Sequence, residues 1–419
     1  MAKREISNLD LKIKLTNEYL NNGGVKEIYH VDLLEDLLAV KPGPDGKADP
    51  ESISPLVNAF MGTILADHMM PPYFDAKYLS SYKSTLQKSN SFIQENIDTE
   101  EQFDKVYAEY KTKTDTIFRG QREAKWRLYS KLQRHWIGEK MFEQWGSYQH
   151  FIERLVELGR AKYVEQINAL LREQNVDTVN DIAVLGYLQH HSCPTPLLDW
   201  TYKFQNALYF AIDGLTANTR TIEIEDYCSV YYIEEKYVEG SNLRLIMEEG
   251  ITKAEQPMLL ELIAKVSKGD EEKRKAMEAH FAGRQLIDRK RLFGSGIISH
   301  MTKISNLINF PIGYFSDKDI ESGILFSLNN CENILNQVGA FTWNSDPSKP
   351  LEMVGDESFN EGKSEEEARN YSFCNCFNIH KKLADHIKKT LESDGITKEY
   401  IYPTPELSTW EIFEESKVK

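Results

Sequence analysis

From Ile117 onward the chain repeatedly changes its hydrophobic period. Short β-branched and aromatic runs alternate with longer stretches whose apolar residues recur at helical spacing, and the two periods, 2 and about 3.6, cannot be exchanged within one segment. Such a chain has to pack strands against helices; it cannot be an all-helical bundle or a β-sandwich. Strand-like runs are Thr116-Ile117-Phe118-Arg119-Gly120, Cys228 to Ile233, Gly323 to Ser327, Ala340 to Trp343 and Cys374 to Ile379. Helical spacing covers Glu101 to Tyr110, Trp126 to Arg134, Phe151 to Leu171, Ile182 to His191, Phe204 to Ile212 and Lys381 to Leu391. Cys331 to Gln337 links two strands, the acidic run Asp356 to Arg369 reads as a surface loop or solvated helix, and Tyr402-Pro403 closes the last pair of elements. The fold class is therefore α+β.

The preceding part reads differently. Leu9 to Leu38 is amphipathic and helical, interrupted at Asn21-Asn22-Gly23-Gly24, Lys41 to Gly46 is a loop, and Ile53 to Ile97 is again helical, with Leu56, Phe60, Ile64 and Leu65 in register. A chain of 419 residues exceeds the usual single domain. We expect a mainly helical region over residues 1–110 and an α+β domain over 111–419, with a helical insertion around 240–320 centred on Lys253 to Gln285 and a C-terminal strand-helix extension.

A formal net charge of -15 excludes a general binder of duplex nucleic acid, which needs basic residues in excess of local carboxylates. Lys125, Arg127, Lys131 and Arg134 form a local basic cluster, ordinarily a solvated helix face. Five cysteines, an odd number without framework spacing, point to a reducing compartment, and Cys374-Asn375-Cys376 lacks the second pair that a zinc site requires. No metal is implied. Met1 to Glu5 is not followed by an apolar signal segment and no stretch is long enough to span a bilayer, so a cytoplasmic protein without membrane partners is expected.

Two short segments carry the chemistry. Phe118-Arg119-Gly120-Gln121 puts an arginine at the end of an apolar strand, where it must meet a carboxylate or await an anion such as phosphate, and Gly120 permits close backbone approach. A salt bridge from Arg119 to Asp199 is the plain structural alternative. Leu188-Gln189-His190-His191-Ser192-Cys193-Pro194-Thr195-Pro196-Leu197-Leu198-Asp199-Trp200-Thr201 packs two histidines, an aspartate and an indole into one loop and short strand. His190 stands beside Gln189 at a helix end and is preferred over His191 as a ligand contact.

Phe118 to Gln121, Trp126, Leu128, Leu188 to Thr201, Ala207 to Ala211 and Gln337-Val338-Gly339-Ala340-Phe341, in this order, resemble the FRG domain family of bacteria and their phages, over roughly Ile117 to Phe341. Two departures stand out. Pro196 replaces an arginine before Leu-Leu-Asp-Trp-Thr, and Ser192-Cys193 replaces a glycine-containing turn. The motif order is also similar to that of ADP-ribosyltransferases, which implies a small mixed or antiparallel sheet flanked by helices and NAD as substrate. On that resemblance Arg119, Asp199, Thr201 and Gln337 would be catalytic, and Arg119, Gly120, Gln121, His190 and Trp200 would contact the nucleotide. Gln337 stands where a glutamate is expected, so Asp199 or Glu332 would supply the negative charge that an oxocarbenium-like centre needs. Trp200 or Trp126 could stack on a base, although core packing is the commoner role of tryptophan. Three functions remain open from the sequence: an NAD-using transferase or NAD glycohydrolase acting on a macromolecule or water, a non-catalytic module for a nucleotide or nucleic-acid end, and a structural or partner-binding protein.

Overall fold

The computed structural model describes residues 81–173, 180–215, 223–238, 243–282, 296–319, 324–360, 373–403 and 407–418, with 322 and 364 as single positions. Seven strands form one sheet: β1 (Ile93–Ile97), β2 (Thr116–Gln121), β3 (Leu197–Thr201), β4 (Tyr227–Glu234), β5 (Ile312–Phe315), β6 (Gly339–Asn344) and β7 (Asn375–His380). Their order is β1-β7-β4-β2-β3-β6-β5. The β1–β7 pair is parallel and the others are antiparallel, so the sheet is mixed and, with helices around it, the class is α+β as expected.

One irregularity in the sheet positions everything that follows. β2 pairs with β4 along its whole length, from Thr116 opposite Glu234 to Gln121 opposite Ser229. It meets β3 at a single position, Phe118 opposite Thr201. Beyond that pair the strands separate.

Alternation along the strands divides the core accordingly. On one face Ile117, Leu198, Trp200, Tyr231, Ile233, Tyr314 and Ala340 share a cluster. The other face carries two cores. Phe118, Val230, Phe377 and Ile379 pack with residues of the Glu100–Tyr110, Phe204–Ile212 and Ala384–Ser393 helices. Leu197, Phe315, Phe341 and Trp343 pack with the long Tyr148–Glu173 helix and the Asp181–His190 helix. The division between these two cores falls where β2 leaves β3. Full burial of a side chain such as Phe118 contributes about 1.5–3 kcal/mol, so each core holds its own part of the sheet firmly.

Local sequence explains the helix boundaries. Thr99 with Gln102 and Ser130 with Gln133 form capping boxes, and the Asn180 side chain accepts from the Ala183 amide at 2.9 Å. The Asp181–His190 helix stops at His191, Ser192 takes a left-handed φ of 71°, and Pro194 turns the chain into β3.

Several expectations need correction. Ile93–Ile97, read as the end of a helical stretch, is a parallel edge strand, because backbone pairing with β7 outweighs its helical spacing. Trp126 to Tyr129 is irregular and the helix begins only at Lys131, since Ser130 caps it and tertiary backbone bonds hold the preceding residues, among them Leu351 N–H to Leu128 C=O at 3.0 Å. Ile324 to Ser327 is not a strand: the Phe326 and Leu328 amides each donate to the Asp317 carboxylate at 2.7 Å, which bends this stretch around one side chain. The neighbouring strand is β5 instead. The acidic run begins inside the Leu351–Asn360 helix, and a helix over Trp410–Lys417 follows the point where the elements were expected to end.

The helical insertion contains helices over Leu243–Ser267 and Glu271–Phe281. The readings for Leu9 to Leu38, Lys41 to Gly46 and the start of Ile53 to Ile97 lie outside the described residues. None of the five cysteines is in a disulfide, and all are buried. Among the described residues no helix is long and apolar enough to cross a membrane.

Candidate functional site

The gap between β2 and β3 opens into a cleft of about 950 Å³. Its lining includes Arg119, Gly120, Gln121, His190, Asp199, Trp200, Thr201 and Gln337, so all the residues singled out from the motifs border one space. Arg122, Trp126, Lys131, Arg134, Gln189, Asp213 and Tyr402 complete the polar and aromatic walls. Glu332 is exposed and lies apart from the lining.

Arg119 reaches across the gap. Its Nη1 donates to the Asp199 backbone carbonyl at 2.7 Å and stands 3.6 Å from Asp199 Oδ2. The salt bridge is thus loose, and the firm contact is to backbone. Burial lowers the Arg119 pKa, with Asp199 opposing, yet a guanidinium stays protonated at neutral pH. The Asp199 carboxylate is aimed by a relay: Leu197 N–H donates to Thr195 Oγ1 at 3.2 Å, Thr195 donates to Gln189 Oε1 at 2.5 Å, and Gln189 Nε2 donates to Asp199 Oδ2 at 2.7 Å. The side chain is nevertheless 42% exposed, toward the cleft it lines.

The basic cluster divides by tertiary position. Lys125 pairs with Glu225 at 2.7 Å, and the Arg127 guanidinium lies 4.3 Å from the Tyr82 ring centroid. Arg134 and Lys131 instead border the cleft. Arg134 donates to the Arg127 carbonyl at 3.3 Å and sits 5.4 Å from the Trp126 ring centroid. Burial first, and the nearby Arg119 charge second, push its pKa down to about 10. Two guanidinium groups thus share a desolvated space, where an anion is favoured.

Four of these side chains hold polar atoms that are buried without a hydrogen-bond partner among the described residues: Arg119 Nε, Arg134 Nε, His190 Nε2 and both ends of the Gln121 amide. Burial keeps the His190 imidazole below its ordinary pKa, with Asp199 acting against it, and so neutral near pH 7. His191 also borders the cleft but is largely buried. Its ring packs 4.4 Å from Tyr187, and burial followed by the His190 charge depresses its pKa to about 4.

Other motif residues are committed to the framework. Thr201 donates its hydroxyl to the Gln337 carbonyl at 2.5 Å and accepts from the Lys203 amide at 3.0 Å, fixing the turn after β3. The Gln337 side chain donates to the Ile401 carbonyl at 3.2 Å, and Trp200 Nε1 donates to Thr342 Oγ1 at 2.9 Å. Gly120 has a packing reason of its own: a Cβ there would lie 1.9 Å from the Ala207 carbonyl oxygen and 2.7 Å from the Ala211 nitrogen. β2 rests directly on the backbone of the Phe204–Ile212 helix.

Arg134, which the sequence marks only as part of a basic cluster, borders the cleft, as do Asp213 and Tyr402, which sequence reasoning missed. Asp213 faces Arg122 at 3.8 Å. Nothing local distinguishes Asp213 or Tyr402, which follow two helices far apart in the sequence and meet the cleft only in the folded chain.

The fold and the cleft define a class, an α+β protein whose mixed sheet is split by a basic, partly desolvated pocket. Residues 114–220 match the family model of the FRG domain, and the chain therefore contains an FRG domain. That span holds β2, β3 and the Phe204–Ile212 helix, and it ends before the Gln337 to Phe341 segment to which the motif resemblance extends. No curated protein and no solved structure matches the chain.

Proposed function

We propose that the FRG cleft binds NAD and transfers its ADP-ribosyl group to a macromolecular acceptor or to water. The observation that carries this reading is the convergence of Arg119, Arg134, His190 and Gln121, with polar atoms that have no hydrogen-bond partner among the described residues, beside the held carboxylate of Asp199. Buried polar groups are ordinarily satisfied, so a cluster of unsatisfied ones around a cavity is what a polar, anionic ligand would complete. In the reaction the bond between ribose C1′ and the nicotinamide nitrogen breaks and its electron pair neutralises the pyridinium. A lone pair of the acceptor forms the new bond to C1′, and the acceptor proton leaves. Arg119 and Arg134 would grip the diphosphate, Asp199 would offset positive charge at C1′, and neutral His190 is the available proton acceptor.

A second reading, non-catalytic nucleotide binding, is favoured by Gln337: its amide is occupied by the Ile401 carbonyl, and it carries no charge.

Incubation of the full chain with NAD labelled in the adenosine part separates the two. Transfer predicts nicotinamide release and a labelled acceptor or free ADP-ribose, lost in Arg119→Ala and reduced at least tenfold in Asp199→Asn. Intact NAD with Arg119-dependent thermal stabilisation by NAD would leave binding alone. Absence of both turnover and stabilisation would refute the NAD reading.

A further inference from the structure

We infer that the Gln121 side-chain amide reads a paired donor and acceptor edge on the bound nucleotide: either the N6/N7 edge of adenine or the carboxamide of nicotinamide. The inference rests on the nucleotide reading of the cleft and adds the group that would give it specificity.

Gln121 is the last residue of β2, two positions after Arg119, so both side chains leave the same face of the strand. It is only 4% exposed and lines the cleft. Its donor Nε2 and its acceptor Oε1 are both buried, and neither has a hydrogen-bond partner among the described residues. Two polar neighbours on that face are already engaged. Ser229, the register partner of Gln121, accepts from Lys88 Nζ at 2.7 Å and donates to Asn378 Oδ1 at 3.0 Å. The Trp126 carbonyl accepts from the Tyr231 hydroxyl at 3.1 Å.

A primary amide buried this way carries the desolvation penalty of both its ends and returns nothing to the folded state. An apolar side chain of similar size would make the better core. The amide becomes favourable once a ligand supplies one donor and one acceptor side by side. Adenine offers N6–H and N7, the pairing that glutamine makes in base recognition, and a carboxamide offers N–H and C=O. Trp126 also lines the cleft, with the Arg134 guanidinium over its ring, which supplies an aromatic and cationic wall for a planar group.

Two ligand pairs distinguish the sources, with dissociation constants measured by calorimetry on the full chain. ADP-ribose against inosine diphosphate ribose changes only the base edge; nicotinamide mononucleotide against its 3-acetylpyridine analogue changes only the amide, a methyl replacing its NH2 with no change of charge. In the wild type one pair should differ by roughly 5- to 150-fold, the range of a good bidentate contact. That ratio should collapse to near one in Gln121→Leu, while the other pair stays unaffected. The unliganded Gln121→Leu protein should melt no lower than the wild type, because the amide it loses was unpaired, and Gln121→Met keeps the test open if leucine does not fit. Discrimination that is equal in wild type and both variants, with binding still dependent on Arg119, would overturn the role of Gln121 alone. If none of the four ligands binds the wild type, the nucleotide reading falls with it.

Discussion

Gly120→Ala is the sharpest probe of how the cleft is built. The new Cβ would start 1.9 Å from the Ala207 carbonyl oxygen, whereas Cβ atoms essentially never approach heavy atoms closer than 3.0 Å. The helix or the strand must therefore retreat by about 1 Å, and the obstacle is backbone, which has no rotamer to change. Phe204, Ala207, Leu208 and Ala211 of that helix are all buried against the sheet. A gap of 0.5–1 Å already forfeits a quarter to a half of the dispersion attraction at each contact. We expect a loss of about 3 kcal/mol or more, at or beyond the upper end of ordinary overpacking. Gly250→Ala is the matched control: it lies inside the Leu243–Ser267 helix with nothing within 4 Å of its Cβ position, so it should stabilise by about 0.5–1 kcal/mol through helix propensity. Urea unfolding followed by tryptophan fluorescence measures both. A Gly120→Ala cost below about 1 kcal/mol would refute the direct contact of β2 with the helix backbone.

Two further outcomes follow from buried polar groups. His191 has a folded pKa near 4, below the ordinary histidine value near 6.5, so as pH falls the unfolded chain takes up the proton first; its contribution is intact above about pH 6.5 and lost toward pH 4. Relative to His191→Phe, the wild type should lose about 3 kcal/mol across that window, and parallel curves for the two proteins would contradict the assignment. Glu352, 1% exposed, accepts from the Tyr82 hydroxyl at 2.6 Å and the Leu128 amide at 3.1 Å beside Arg127. Glu352→Ala should cost roughly 2–6 kcal/mol in chemical denaturation by leaving the buried Tyr82 hydroxyl and Leu128 amide without their acceptor, about 1–3 kcal/mol for each, and a cost under 1 kcal/mol would show that neither donor depends on it.

Strands made of β-branched and aromatic residues were legible in the sequence. Thr116–Gln121, Tyr227–Glu234 and Gly339–Asn344 all have both sides largely buried, so their composition reports their environment. β1 was not legible. Ile93-Gln94-Glu95-Asn96-Ile97 is polar, with Ile93 61% exposed, and backbone bonds to a strand nearly three hundred residues away hold it in place. β5 has Gly313 in its centre, and its strand state comes from pairing with β6.

The site divides in the same way. Arg119, Asp199 and the loop before β3 declare themselves locally, because an arginine after an apolar strand and a loop dense in polar side chains have few structural uses. By itself the sequence determined the α+β class and the meeting of the Phe118 to Gln121 and Leu197 to Thr201 motifs, through hydrophobic period and motif order. Only the tertiary structure decided that β2 and β3 part after one pair, that Thr201 and Gln337 serve the framework, and that Arg134 joins Arg119. It alone also left the Gln121 amide without a hydrogen-bond partner among the described residues. Hydrogen-bond satisfaction is a property of the whole packed chain, and no local pattern encodes it.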